Sequence, residues 1–206
     1  MRNSILDRHH LAQDVIRILT ELQEVKSVEL IGSLAGNGTD RFSDVDLIVS
    51  ADSLSDFSLV ESITEKLCTC FPILFFDWAK SLLPAKRVIS FYLDQVSIFW
   101  NVDIDFAVPG DLREITREGL SGYTIEHGLK LWCLTHKYIY YRKSVIPEKA
   151  VRRLYKRFLS EEPPPEHTII SAMEDILGYL SNHLSDRFDW FLDECRNELL
   201  AVQSNR

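Results

Sequence analysis

No run of apolar residues in this 206-residue chain is long enough to cross a bilayer. The opening stretch, MRNSILDRHH, lacks the apolar segment of a secretory signal, so the expected location is cytoplasmic with no membrane partner. There is no long tract of Gly, Ser or Gln and no internal repeat, which excludes linker-like and low-complexity architectures. Cysteines are few: Cys68, Cys70, Cys133 and Cys195. Without a signal segment they are expected to be reduced and buried rather than bridged. Cys68 and Cys70 are one residue apart, which fits neither a zinc knuckle nor a redox C-x-x-C pair. The six histidines show no metal-ligand spacing and read as surface or packing residues.

What is present is a folding composition, 46% hydrophobic and 26% charged. The net charge of −8 is unevenly spread. Nine Lys or Arg between Lys130 and Arg157 face one acid, Glu148, so that stretch carries +8 and the rest −16. Such asymmetry suits a protein that handles a polyanion at one place and avoids polyanions elsewhere.

Hydrophobic periodicity divides the chain in two. Residues 5 to 24 have helical spacing. Ser27 to Ile31 and Asp44 to Val49 alternate as strands, joined by a connection rich in Gly, Asn and Thr. Residues 53 to 70 return to helical spacing behind a cap candidate at Ser53 or Ser55. Ile73 to Trp78, Arg87 to Leu93 and Val96 to Val108 read as strands, and Pro109, Gly110 and the segment Gly119 to Gly122 end them. Beyond lie four expected helices, over 127 to 143, Pro147 to Leu159, 166 to 182 and 185 to 203. The second of these predicts a buried stripe of Val151, Leu154, Tyr155, Phe158 and Leu159 opposite exposed Lys149, Arg152, Arg153, Lys156 and Arg157. The expected fold is α+β, a mixed-sheet domain over 1 to 118 followed by an all-helical domain over 119 to 206.

The segment with chemistry is LIGSLAGNGTDRFSDVDLIVS, Leu30 to Ser50. On a strand Asp44 and Asp46 project to one side, about 7 Å apart along the backbone, while Val45, Leu47 and Val49 enter the core. Two carboxylates offered this way can share hard divalent cations that also accept phosphate oxygens. Gly32 permits close approach of backbone to a phosphate, and Ser33 offers a hydroxyl and an amide. A plainer reading exists: Asn37-Gly38 is a hairpin signal, and the two aspartates could be solvated residues of an edge strand.

The whole combination, Gly32-Ser33, a small-residue loop, then Ser43-Asp44-Val45-Asp46 and an apolar strand, resembles the DNA polymerase beta-type nucleotidyltransferase superfamily. It is similar in particular to the small bacterial branch that includes aminoglycoside nucleotidyltransferases. Gly32, Ser33, Ser43, Asp44 and Asp46 match that pattern, and Gly36 departs from it where many relatives carry Arg. The resemblance implies a mixed-sheet nucleotidyltransferase core, two Mg²⁺ ions, ATP or another nucleoside triphosphate as substrate, and a third carboxylate on a later strand. Asp103 and Asp105 alternate with Val102, Ile104 and Phe106 and are the candidates. Asp103 is favoured as the metal acid and Asp105 as the base for the acceptor hydroxyl. By analogy with the family's helical subdomain, Lys130 and Lys137 are expected to offset phosphate charge.

The implied reaction is transfer of a nucleoside monophosphate, AMP from ATP by preference, to a hydroxyl of a small-molecule acceptor such as an aminoglycoside-like antibiotic, with release of pyrophosphate. The acidic remainder of the chain suits a cationic acceptor and argues against nucleic acid. Two alternatives stay open: a transferase directed at protein or RNA, with the basic face from Lys149 to Arg157 as docking surface, and a non-catalytic nucleotide- or partner-binding protein of regulatory or toxin-antitoxin type. The basic face lacks interleaved exposed aromatics, since Tyr155 and Phe158 fall on the expected buried stripe, which weighs against a stacking platform for RNA. Trp78 and Trp100 are candidates for an acceptor cleft, with core packing the commoner use of strand aromatics.

Overall fold

The computed structural model describes residues 8–36, 38–51, 58–79, 82, 86–107, 124–141 and 146–204. The chain forms two compact units, Met1–Ser121 and Gly122–Arg206. The first is α+β and the second, in its described residues, is helical. No helix among the described residues is long and apolar enough to cross a membrane.

In the first unit, α1 (Arg8–Thr20) leads into β1 (Val25–Ile31), a single helical turn α2 (Gly32–Ala35), β2 (Val45–Ala51), α3 (Ser58–Cys70), β3 (Ile73–Trp78), β4 (Val88–Leu93) and β5 (Val102–Phe106). The strands form one mixed sheet in the order β1-β2-β5-β4-β3. β2 and β5 run parallel at its centre and the other neighbours are antiparallel. Val45, Leu47 and Val49 of β2, Ile104 of β5 and Ile89 and Phe91 of β4 point to one face. There they form a continuous core with Leu11, Val15 and Leu19 of α1 and Ile63 and Leu67 of α3. Burying this face is what holds the sheet in register, since a one-residue slip would turn every apolar side chain to the other side.

Three expectations need correction. β2 is not an edge strand: it lies between β1 and β5, so the reading of its acids as solvated edge residues fails. The run from Val96 does not begin a strand. Gln95 takes a left-handed conformation (φ 58°), Trp100 N–H donates to the Ser97 carbonyl at 2.9 Å, and β5 starts only at Val102. The apolar residues that suggested a strand there, Ile98 and Phe99, are buried from a turn, with the Phe99 ring edge-on to Phe42 at 4.7 Å. The cysteines are all free thiols, but only Cys133 and Cys195 are buried; Cys68 and Cys70 are exposed at the end of α3. The cap candidates Ser53 and Ser55, Asn37, and the breakers Pro109, Gly110 and 119–122 lie outside the described residues.

The second unit contains α4 (Ile125–Tyr140), α5 (Ile146–Leu159), α6 (Ile169–Ser181), a 3₁₀ turn (Asp186–Phe188) and α7 (Asp189–Ser204). Thr124 and Thr168 cap α4 and α6, their hydroxyls accepting from His127 N–H and Ser171 N–H. The α5 stripe is as expected for Val151, Leu154 and Tyr155, which are buried, and for the five cations, which are exposed, while Phe158 and Leu159 at its end are only half-buried. Trp132 is fully buried and its indole N–H donates to the Met173 carbonyl at 3.1 Å, tying α4 to α6.

Candidate active site

The acids sit on the face of the sheet opposite that core. β2 alternates buried and half-buried from Val45 to Ala51, and Asp46, Ile48 and Ser50 take the second set of positions. β5 does the same, with Asp103 and Asp105 half-buried between Val102, Ile104 and Phe106. The parallel register places Asp46 opposite Asp103 and Ile48 opposite Asp105. Asp103, not Asp105, is therefore the neighbour of Asp46, and Asp44 lies one strand repeat before it, half-buried just ahead of β2.

The row continues across the sheet. Asp103 pairs with Ser90 of β4, and Ser90 pairs with Asp77 of β3. Asp46, Asp103, Ser90 and Asp77 thus form one line over four strands on the same face. Asp77 and Ser90 are buried, and the Ser90 hydroxyl has no hydrogen-bond partner among the described residues. Neither was found by motif reasoning. The available signal was an acid inside the apolar run Ile73 to Trp78, but its partner strand could not be read from the sequence.

Local geometry fixes the two central carboxylates. Gly32 closes β1 with φ +71°, and a Cβ built there would lie 2.1 Å from Asp46 Oδ2. Only a residue without a side chain lets the β1–α2 corner come against this carboxylate. Asp103 is oriented by Asn101, whose Nδ2 donates to Asp103 Oδ1 at 2.6 Å, while Val45 N–H donates to the Asn101 carbonyl at 2.9 Å. Asn101 thus couples the start of β5 to the start of β2.

Asp105 is in a different setting. Its Oδ1 accepts from Arg87 N–H at 3.4 Å, and its Oδ2 lies 3.8 Å from Lys86 Nζ. Ser43 is buried and works within its own loop: its hydroxyl donates to Asp40 Oδ1 at 3.1 Å and accepts from Asp40 N–H at 3.0 Å, while Phe42 N–H also donates to Asp40 Oδ1. This turn immediately precedes Asp44 and leads the chain into β2. Arg8 of α1 holds it from outside, its guanidinium donating to the Asp40 and Ser43 carbonyls and lying over the Trp100 ring at 5.1 Å. Ser33 is half-buried in α2, and its carbonyl accepts from Gly36 N–H and the Thr39 hydroxyl. Trp78 packs against the sheet core.

Lys130 and Lys137 belong to the second unit. Lys130 is 7% exposed on the inward side of α4, and Lys137 is half-buried in that helix's last turn, where a cation complements the helix dipole. Among the described residues no three His, Cys, Asp or Glu side chains are gathered tightly enough to enclose an ion. The donor set opposite Gly32 is nonetheless all carboxylate oxygen, the chemistry that hard divalent cations select.

No protein-family model matches the chain, and no curated protein does. Among solved structures it is similar to the polymerase core of TRAMP, an RNA surveillance complex, with a TM-score of 0.40 and 12% identity over 86% of this chain and 58% of that one. It is similar to Cid1 in complex with the UTP analogue UMPNPP at 0.37 and 16%, over 76% of this chain and 50% of that one. A cytoplasmic RNA terminal U-transferase gives 0.38 and 14%, over 86% and 66%. The chain spans between half and two thirds of the length of these proteins.

Proposed function

We propose that the chain is a Mg²⁺-dependent nucleotidyltransferase of the polymerase beta type, moving a nucleoside monophosphate from a nucleoside triphosphate to a hydroxyl acceptor. The observation that supports this most is the pairing of Asp46 with Asp103 in parallel register, with the backbone of Gly32 packed against the Asp46 carboxylate. Asp44, Asp46 and Asp103 are the proposed metal acids. When bound, Mg²⁺ would supply charge stabilisation for the attacking and leaving oxygens.

The chain's own residues do the positioning. Asn101 holds Asp103 in place, and the Asp40–Ser43 turn is proposed to position Asp44. Gly32, having no side chain, packs against the Asp46 carboxylate without displacing it, and Ser33 beside it is the proposed phosphate-side hydroxyl. Asp105 is the proposed acceptor of the hydroxyl proton, sharing its second oxygen with Lys86. Lys130 and Lys137 are proposed to balance phosphate charge.

The finer reading is AMP transfer from ATP to a small cationic acceptor such as an aminoglycoside. It is supported by the charge of the first unit, where eleven Lys or Arg stand against nineteen Asp or Glu, a net −8, and by the four acids Asp46, Asp77, Asp103 and Asp105 on one sheet face. A surface of this sign concentrates cations and repels polyanions.

The test is calorimetric titration with ATP, GTP, CTP and UTP, with Mg²⁺ present and chelated, against Asp44→Asn and Asp103→Asn, followed by a pyrophosphate-release assay with aminoglycosides as acceptors. Metal-dependent binding that both variants lose while keeping their melting temperature is the expected outcome. Binding without pyrophosphate release from any acceptor points to a non-catalytic nucleotide-binding protein. Transfer at the native rate in Asp103→Asn would refute the metal assignment.

A further inference from the structure

Among the described residues a dense run of cations lies on α5, apart from the acidic residues of the sheet. Lys149, Arg152, Arg153, Lys156 and Arg157 recur at helical spacing along α5, and all five are exposed. At a rise of about 1.5 Å per residue the stripe is roughly 12 Å long. Lys156 makes an exposed ion pair with Glu162 at 3.2 Å, a contact that water and salt weaken.

Read along the helix, the stripe has no aromatic partner. The tertiary structure supplies one. A Cβ added to Gly128, near the start of α4, would lie 2.7 Å from the Phe158 ring, near the end of α5. The two helices therefore form an antiparallel hairpin, and the end of α4 lies beside the start of α5. At that end three tyrosines are exposed, Tyr138 at 36%, Tyr140 at 45% and Tyr141 at 42%. They are half of the six large exposed hydrophobic side chains among the described residues, gathered within four positions of chain. The Tyr140 and Tyr141 rings stand edge to face at 5.8 Å, so they present differently oriented flat surfaces.

We propose that the α4–α5 hairpin is a binding surface for single-stranded nucleic acid, with the α5 cations along the phosphate backbone and the tyrosines at its α4 end stacking bases. Cations track a polyanion of any sequence, and aromatic faces distinguish a strand of bases from other polyanions. The second unit suits this better than the first, because its Lys and Arg equal its Asp and Glu at twelve each and its cations are concentrated on α5. The proposal does not depend on nucleotidyl transfer.

The test is fluorescence anisotropy of labelled twelve-nucleotide oligo(U) and oligo(dT) with the full chain, at 50 and 200 mM salt. With four or five phosphates neutralised, affinity should fall roughly fifty- to hundredfold over that salt range. Arg152→Glu/Arg153→Glu should weaken binding and flatten the salt dependence. Tyr140→Ala and Tyr138→Ala should each weaken it about fivefold or more with the salt dependence unchanged. Melting temperatures of all variants should match the native chain, since these side chains are exposed. No binding at 50 mM salt overturns the proposal. So does equal or tighter binding of polyglutamate with no effect of the tyrosine variants, which would assign the stripe to an acidic protein or to simple ion exchange. Unchanged oligonucleotide affinity in the Arg variants would place the nucleic-acid site elsewhere.

Discussion

Gly32→Ala is the substitution with the best-defined consequence. The backbone there is left-handed, φ +71°, which costs an alanine about 1 kcal/mol relative to glycine. The new Cβ would also stand 2.1 Å from Asp46 Oδ2 and 3.0 Å from its Cγ, where contacts under 3.0 Å do not occur, so the carboxylate must retreat by about 1 Å. Asp46 cannot retreat freely, because β5 flanks it with Asp103 in register. An off-rotamer side chain adds about 0.5–1.5 kcal/mol. The expected sum is roughly 1.5–2.5 kcal/mol, or about 5–10 °C in melting temperature at about 3–4 °C per kcal/mol. Displacing a site carboxylate by about 1 Å is also expected to cost on the order of a hundredfold in transfer rate. The assay is thermal unfolding by circular dichroism together with calorimetric titration of Mg²⁺-nucleotide. Gly36→Ala is the control, since its Cβ would meet only the Ser33 carbonyl at an ordinary 3.9 Å. A Gly32→Ala protein that melts within 1 °C of the native chain and binds nucleotide undiminished would refute the reasoning.

Two further expectations concern the helical unit. Gly178 lies on the exposed side of α6 with nothing within 4 Å of a built Cβ, so Gly178→Ala should stabilise by about 1 kcal/mol through helix propensity. Gly128→Ala should instead destabilise by about 1–3 kcal/mol through overpacking, its Cβ falling 2.6 Å from Leu180 Cδ2, and urea titration of the pair should separate them in sign. Burial, with a hydrogen bond to Cys133, pushes the Cys195 thiol well above its ordinary value of 9.0. A group whose pKa is raised by folding contributes stability that is full below the unfolded value and lost as pH rises through the folded one. Denaturant titrations should therefore show stability falling above about pH 9 more steeply in the native chain than in Cys195→Ala, and parallel curves would count against it.

Periodicity and motif made much of this protein legible before any coordinates. The alternation Val45, Leu47, Val49 specified which face of β2 is buried, and the α5 stripe specified its inward residues, because those patterns are local and have one physical reading each. Ser97 to Asn101 misled, because apolar side chains can be buried from a turn as well as from a strand.

Sequence alone determined the element types, the α+β order and the candidate acids, since helical and strand periods and a short acidic motif are properties of neighbouring residues. Only the tertiary structure decided which acids stand together. Asp103 and Asp105 have the same local pattern, and nothing in it says that β5 lies parallel to β2 with Asp103 opposite Asp46. Asp77 and Ser90 entered the row for the same reason, and the tyrosines came near the basic helix only through the packing of α4 on α5. Strand order, register and helix pairing join residues far apart in the chain, and burial of whole faces selects them rather than any short stretch of sequence.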